Sequence, residues 1–267
     1  MSYVHGYTSR ETRRLLEQAL ILEELLHSGT SYPSGTSVLE AGCGVGGQTQ
    51  ILCRRNPDTE FTCIDISVES VKQAEKMALD ARITNAVFLQ ADINSIPYQS
   101  ASFDHVFICF VLEHLPDPVS ALKKLSDLLR PGGTLTVIEG DHGSGFWSPE
   151  SPESRLAWDG LVESQRTLGH DPDIGRRIYP LLKTTGLRIE LVEPRWIYAD
   201  ESNPILLDGV INQIIAPMVL SAQQQVIETG LMKKEVWEKG LEDIRNVAFH
   251  PEGTFFYTWF KGIARKL

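Results

Sequence analysis

The chain has 267 residues, 42% hydrophobic and 22% charged, with a formal net charge of −10. That length holds one large domain, or a domain plus an appendage, and the composition excludes a disordered chain. The acidity argues against a nucleic-acid partner, because the densest basic spots, Arg54-Arg55, Arg176-Arg177 and Lys233-Lys234, are pairs typical of solvated helix faces rather than a basic stripe.

The N-terminus, MSYVHGYTSRETRRLLEQ, lacks the apolar core of a signal peptide. No stretch reads as a membrane span of about 20 apolar residues, so no membrane partner is expected. The four cysteines, Cys43, Cys53, Cys63 and Cys109, form no C-x-x-C. They read as reduced, small hydrophobes in a reducing, cytoplasmic compartment, with no metal site.

Residues 9–27 carry apolar residues at helical spacing and predict a helix capped by Ser9. The linker SGTSYPSGTS follows. Ser37–Glu40 is the first strand, the glycine loop its turn, and Gly47–Asn56 a helix stopped by Pro57. FTCIDIS is a buried strand, and a helix starts near Ser67. NAVFLQAD is the third strand and SFDHVFICFVLEHL the fourth, apolar for most of its length. DPVSALKKLSDLLRPGG is a helix, and TLTVIEGD the fifth strand. This strand–helix rhythm predicts a doubly wound α/β fold, a parallel sheet with helices on both faces.

After Asp141 the rhythm breaks. Residues 142–173 are Gly/Ser/Pro-rich and then helical over Arg155–Leu168. Ile174–Thr185 is a helix ended by Gly186, and LRIELVEPRWIY the sixth strand. Residues 201–246 are helical with an interruption at Pro217, and GTFFYTWFKGIARK is the last strand. Segments 142–173 and 200–250 are therefore insertions, where α/β proteins build substrate sites.

The glycine loop, Gly42-Cys43-Gly44-Val45-Gly46-Gly47, is a G-x-G-x-x-G, which alone is weak evidence. Glu40, at the end of the first strand, suits a ligand with a nearby positive charge and is poorly placed beside a pyrophosphate. Asp65 ends the second strand, where a carboxylate accepts ribose hydroxyls; this fits NAD and S-adenosylmethionine equally. Asp92 ends the third, where it can accept from an adenine amino group with Ile93 on the ring face.

Together, VLEAGCGVGGQT, FTCIDIS, LQADI, FDHVFICFVLEHL and LRPGGTLTVIEGD resemble the class I S-adenosylmethionine-dependent methyltransferases, closest to the ubiquinone-biosynthesis-like small-molecule branch. The resemblance is strong over about 36–141 and weaker over 1–30 and 174–198. It implies a Rossmann-like seven-stranded sheet ordered 3-2-1-4-5-7-6, with the last strand as an antiparallel edge. It also implies a helical cap over 1–30 and a methyltransferase domain over 31–267, with substrate-lid insertions at 142–173 and 200–250.

The cofactor implied is S-adenosylmethionine, leaving as S-adenosylhomocysteine. By resemblance, Glu40, Ala41, Gly42 and Gly44 surround its methionine part. Asp65 holds the ribose, Ile66 packs on adenine, Asp92 and Ile93 bracket the adenine edge, and Phe110 backs the sulfonium. Gly47 after Gly46 is an extra glycine that loosens the helix start. Tyr3 and Arg14 match a cap that closes over the cofactor, Arg14 pairing with its carboxylate; a solvated surface helix is the alternative.

Methyl transfer from a sulfonium requires alignment and exclusion of water more than dedicated catalysts. If a base is used, His142 is the candidate, with Asp141 or Glu139 orienting it or Asp141 touching substrate; a plain loop histidine is the alternative. His114 reads as structural rather than catalytic, and Arg176 and Arg177 as a solvated helix start, with binding of an anionic substrate group the alternative. Trp147, Trp196 and Tyr198 are candidates for an apolar or aromatic substrate. The expected partner is a small-molecule acceptor at O, N or C, for a monomer or homodimer. Competing readings are an NAD-dependent oxidoreductase, disfavoured by Glu40; a non-catalytic cofactor-binding protein; and an RNA or protein methyltransferase, disfavoured by acidity and the lack of an Asn-Pro-Pro-Tyr motif.

Overall fold

The computed structural model describes residues 9–267, with side chains from residue 12 onward. The chain divides into two compact units, one of residues 23–140, 173–195 and 259–267, the other, of the described residues, 9–22, 141–172 and 196–258. Seven strands form one sheet in the order β3-β2-β1-β4-β5-β7-β6. They are β1 (Ser37–Ala41), β2 (Glu60–Asp65), β3 (Ala86–Gln90), β4 (Phe103–Cys109), β5 (Leu129–Ser148), β6 (Arg188–Asp200) and β7 (Thr254–Arg265).

The first unit holds the parallel part of the sheet. β1 pairs in parallel with β2 and β4, β2 with β3, and β4 with β5. Lys266, just past the end of β7, exchanges hydrogen bonds with Gly132 and Gly133 near the start of β5, so β7 runs against β5. β7 thus sits between β5 and β6, and β6 is the edge, correcting the edge place expected for the last strand. The burial patterns agree, β7 being largely buried and β6 largely exposed.

The helices of this unit begin where the local chemistry satisfies their free N–H groups. Ser67 caps α4 (Val68–Asp80) by accepting from Ser70 N, and Asp117 caps α5 (Pro118–Asp127) by accepting from Ser120 N, with proline in the first turn. The core joins Leu39, Ile64, Val106, Ile108, Leu135 and Val137 of the sheet to Leu122 and Leu125 of α5 and to Ile178, Leu181 and Leu182. Each such side chain contributes about 1.5–3 kcal/mol by leaving water.

The predicted N-terminal helix is two, α1 (Ser9–Ile21) and α2 (Glu23–His27). α2 is fastened by charges the sequence left unassigned. Lys261, buried in β7, donates to Ser28 O at 2.8 Å and Thr30 Oγ1 at 2.6 Å, and Arg55 donates to His27 O at 3.0 Å. Arg54 and Arg55 pair with Glu23 and Glu24, so they are not merely solvated. Burial pushes His27 down to about 4, so its neutral ring donates from Nε2 to Gln48 Oε1 at 2.5 Å, tying α2 to α3 (Gly47–Arg55).

The second unit is helical around the outer parts of β5–β7. β5 runs on to Ser148, where the Gly/Ser/Pro-rich sequence predicted a loop; Thr258 N donates to Ser144 Oγ at 2.9 Å within this stretch. α6 (Pro152–Thr167) starts earlier than predicted, because Ser151 and Ser154 form a capping box. Trp158 and Trp237 are fully buried, and Ser151 Oγ donates to Asp243 Oδ2 at 2.6 Å, bringing the helix Lys234–Asn246 against the start of α6.

Residues 204–228 correct two expectations at once. Pro217 does not interrupt the helical run: it sits in the first turn of the α-helix Ala216–Ser221, just after a π-helical stretch, Gly209–Ile215. A proline ring crowds the carbonyl four residues back, and a widened turn relieves that clash. The resulting run, Pro204–Glu228, is long and apolar enough by composition to cross a membrane, although 56% of its apolar window is buried inside the protein. Val210, Ile211, Ile214, Ile215 and Val219 pack inward, which explains the apolarity without a bilayer.

Candidate active site

β1 is flanked by β2 on one side and β4 on the other, so the chain leaves its carboxyl end at the point where strand order reverses. Open α/β sheets bind ligands at this switch point. The carboxyl ends of β1–β4 bring together Glu40, Ala41, Gly42, Gly44, Asp65, Ile66, Asp92, Ile93 and Phe110 in one unit.

The glycine loop is built by close approach and handedness. Gly42 has φ +80, and a Cβ there would lie 2.3 Å from Val111 Cγ2. Gly46 has φ +85 and caps α3 in the left-handed conformation, so the helix starts regularly at Gly47 and the doubled glycine does not loosen it. Beside Gly44 nothing stands within 4 Å of where a side chain would begin, which leaves the loop open for a ligand to lie against its backbone.

Glu40 is buried beneath this loop. Thr49 Oγ1 donates to its Oε2 at 2.6 Å, yet burial dominates and pushes the carboxyl up to about 7. The Cys63 thiol also bonds to it, but a buried carboxyl held by a hydroxyl and a thiol is still short of positive charge, which a cationic ligand supplies. Asp65 is raised by burial and held by two N–H groups, Gly44 N on Oδ2 and Ser67 N on Oδ1, each at 2.9 Å. Its carboxylate therefore locks the glycine loop to the start of α4 and keeps lone pairs for further donors.

Ile66 follows with 51% of its surface exposed, an apolar platform beside a polar group. Asp92 is half-buried and caps the turn Ile93–Ser95 by accepting from Asn94 N at 2.8 Å. Ile93 is buried in the core cluster, so it faces the sheet's interior more than a ring face. Phe110 stands at φ +58, a left-handed conformation that costs a bulky residue strain, with its N–H donating to Ile138 O at 3.0 Å.

Glu139, expected as a possible partner of His142, has its carboxyl committed elsewhere: Oε1 accepts from Val111 N at 3.0 Å and Leu112 N at 2.7 Å. Glu113 and His114 lie in a short turn, Leu112–His114, with His114 Nε2 at 3.2 Å from Glu113 Oε1.

In the helical unit, Asp141 and His142 are buried. His142 Nδ1 and Tyr257 Oη are 2.6 Å apart, His142 N donates to Pro172 O, and Trp158 Nε1 donates to His142 O at 3.2 Å. The partner on His142 Nδ1 is thus Tyr257, which lies 115 residues from His142, where no local signal could have found it. Trp147 is buried, its indole N–H on Ser154 Oγ at 3.1 Å and the Arg155 guanidinium 4.3 Å from its ring, a structural place rather than a ligand face. Trp196 and Tyr198 are exposed on β6, and Trp196 stacks on Phe256, which stacks on Phe146. Arg14 is buried, with Nη1 donating to Gln18 Oε1 at 2.6 Å, so it is no solvated surface residue. Tyr3 lies outside the described residues.

A family model described as a methyltransferase domain matches residues 33–183. Over 134 residues the chain is 34% identical to 27-O-demethylrifamycin SV methyltransferase of Amycolatopsis mediterranei, covering 50% of this chain and 49% of that protein. An uncharacterized methyltransferase of Schizosaccharomyces pombe is 27% identical over 239 residues, covering 82% and 83% of the two chains. That protein apart, the chain spans about half or less of the length of the curated relatives it matches. A Haemonchus contortus phosphoethanolamine N-methyltransferase solved with S-adenosyl-L-methionine shares the fold, with a TM-score of 0.59 at 15% identity over 98% of this chain and 57% of its own.

Proposed function

The chain belongs to the methyltransferase-domain family, and from that premise we propose that it moves a methyl group from S-adenosylmethionine onto a small-molecule acceptor. The observation that carries the reading is Glu40: a carboxyl buried under an open glycine loop, short of a counter-charge, suits the cationic amino-acid end of that cofactor and not a diphosphate. The residues around it fit the rest. The backbone of Ala41, Gly42 and Gly44 would line the methionine part, Asp65 would accept the ribose hydroxyls, Ile66 would flank adenine with Asp92 at its edge and Ile93 supporting that turn from the core, and Phe110 would stand near the sulfonium.

When bound, the cofactor supplies a methyl on a good leaving group, so the protein's work is alignment and exclusion of water. Where the acceptor must lose a proton, His142 Nε2 takes it while Tyr257 fixes the ring through Nδ1; Asp141 beside it contacts the acceptor or the imidazole. Acceptor choice lies with the segments 142–173 and 200–250, and the exposed rings of Trp196 and Tyr198 favour an apolar or aromatic molecule. The four cysteines are all buried free thiols, which fits a cytoplasmic enzyme.

Calorimetry tests the reading directly. S-adenosylmethionine and S-adenosylhomocysteine should each bind with a 1:1 stoichiometry, NAD should give no heat, and the reverse pattern would overturn it.

A further inference from the structure

The turn after β4 is strained and yet contacts the glycine loop. Phe110 sits at φ +58, and the next residue, Val111, places its Cγ2 where any side chain at position 42 would have to go. A bulky residue holds a left-handed backbone only when its surroundings over-determine it. Prominent in those surroundings are one side chain and one strand. Ile138 O on β5 accepts from Phe110 N, and one residue further along β5, Glu139 reaches back so that its Oε1 accepts from both Val111 N and Leu112 N. Glu139 is completely buried, and its Oε2 has no hydrogen-bond partner among the described residues. A carboxyl kept in an apolar strand with one oxygen unanswered is costly, so its two accepted bonds must be worth keeping.

We propose that Glu139 is a positioning residue: its carboxyl clamps the Phe110–Leu112 turn in the left-handed form and so sets the wall of the cofactor cradle against Gly42. The link to cofactor affinity rests on the function proposed above, whereas the clamp itself does not. Burial and the neighbouring Glu113 raise the Glu139 carboxyl well above the usual range, toward the neutral form, and a glutamine amide oxygen can accept the same two bonds.

The test is a ligand-free double-mutant cycle followed by cofactor binding. Phe110→Gly removes the steric strain, so Glu139→Ala should lose at least about half of its effect on melting temperature in that background. Equal losses in both backgrounds would overturn the clamp, whatever the ligand. By calorimetry, E139A should weaken S-adenosylmethionine binding by about tenfold or more, while E139Q stays within about threefold of the parent. Equal impairment of E139Q and E139A, or unaltered binding by E139A, would overturn it. Failure of the parent protein to bind would instead refute the function proposed and leave the ligand-free cycle as the judge of the clamp. Should E139A alone not fold, recovery of a folded protein in the E139A/F110G pair supports the clamp, and failure of both, with F110G alone folded, counts against it.

Discussion

Replacing Glu40 with glutamine should remove a pH dependence that the structure builds into cofactor binding. Burial pushes the carboxyl up to about 7, so in the free protein it is half protonated at neutral pH. A cationic ligand binds the ionised form, and the fraction available falls as pH drops. With a value of about 7, the apparent dissociation constant is raised by a factor of about 1 + 10 = 11 at pH 6 and about 1.1 at pH 8, a ratio near tenfold or about 1.4 kcal/mol.

The sign of the stability effect is opposite. Glu40 is raised above its ordinary value of 4.5, so the native state holds an extra proton between the two values, and the stability this contributes is full below 4.5 and lost as pH rises through 7. At pH 8 the ionised carboxyl therefore costs up to about (7 − 4.5) × 1.36, roughly 3 kcal/mol, which Glu40→Gln should recover. The assay is calorimetric titration with S-adenosylmethionine at pH 6, 7 and 8, with melting curves of the free proteins at each pH. The variant keeps every other titrating group, the ligand's included, and so serves as the control. A parent affinity that does not change from pH 6 to pH 8, or a glutamine variant with the same slope, would refute the reasoning.

Asp65→Ala removes the acceptor for Gly44 N and Ser67 N as well as the ribose partner; binding should weaken by more than about tenfold and melting fall, and unchanged binding would count against its role. Gly42→Ala forces a Cβ to within 2.3 Å of Val111 Cγ2 at φ +80, so the protein should lose about 1–3 kcal/mol in denaturant unfolding, with part of the loss recovered by adding Val111→Ala. Tyr257→Phe deletes the hydroxyl 2.6 Å from His142 Nδ1; turnover should fall with KM little changed and the acidic limb of the rate profile should move, whereas an identical profile would exclude His142 as an oriented base.

The parallel sheet was legible because β1–β4 are short apolar runs bounded by Gly, Pro and cap residues, and local signals decide such elements. The places of Glu40, Asp65 and Ile66 at the ends of β1 and β2 were legible, because strand ends follow from the local pattern. The extension of β5 through Gly143, Ser144 and Gly145 was not, since its strand character comes from Thr258 bonding across to Ser144 rather than from its own propensity. Pro217 misled because a π-helical turn absorbs its clash. Glu139 and Lys261 carried a signal that went unread: a single charged residue inside an apolar run, TLTVIEG or TFFYTWFKG, demands buried partners. Tyr257 and His142 meet only through the fold.

Transfer of a methyl group to a small molecule is the property that decides the proposed function. Incubating the protein with methyl-labelled S-adenosylmethionine and a small-metabolite extract, then reading the products by mass spectrometry, should give S-adenosylhomocysteine and an equal amount of one labelled small molecule. A full-length protein that binds the cofactor yet leaves every metabolite unlabelled, or that puts the label into protein or RNA when these are added, would contradict it.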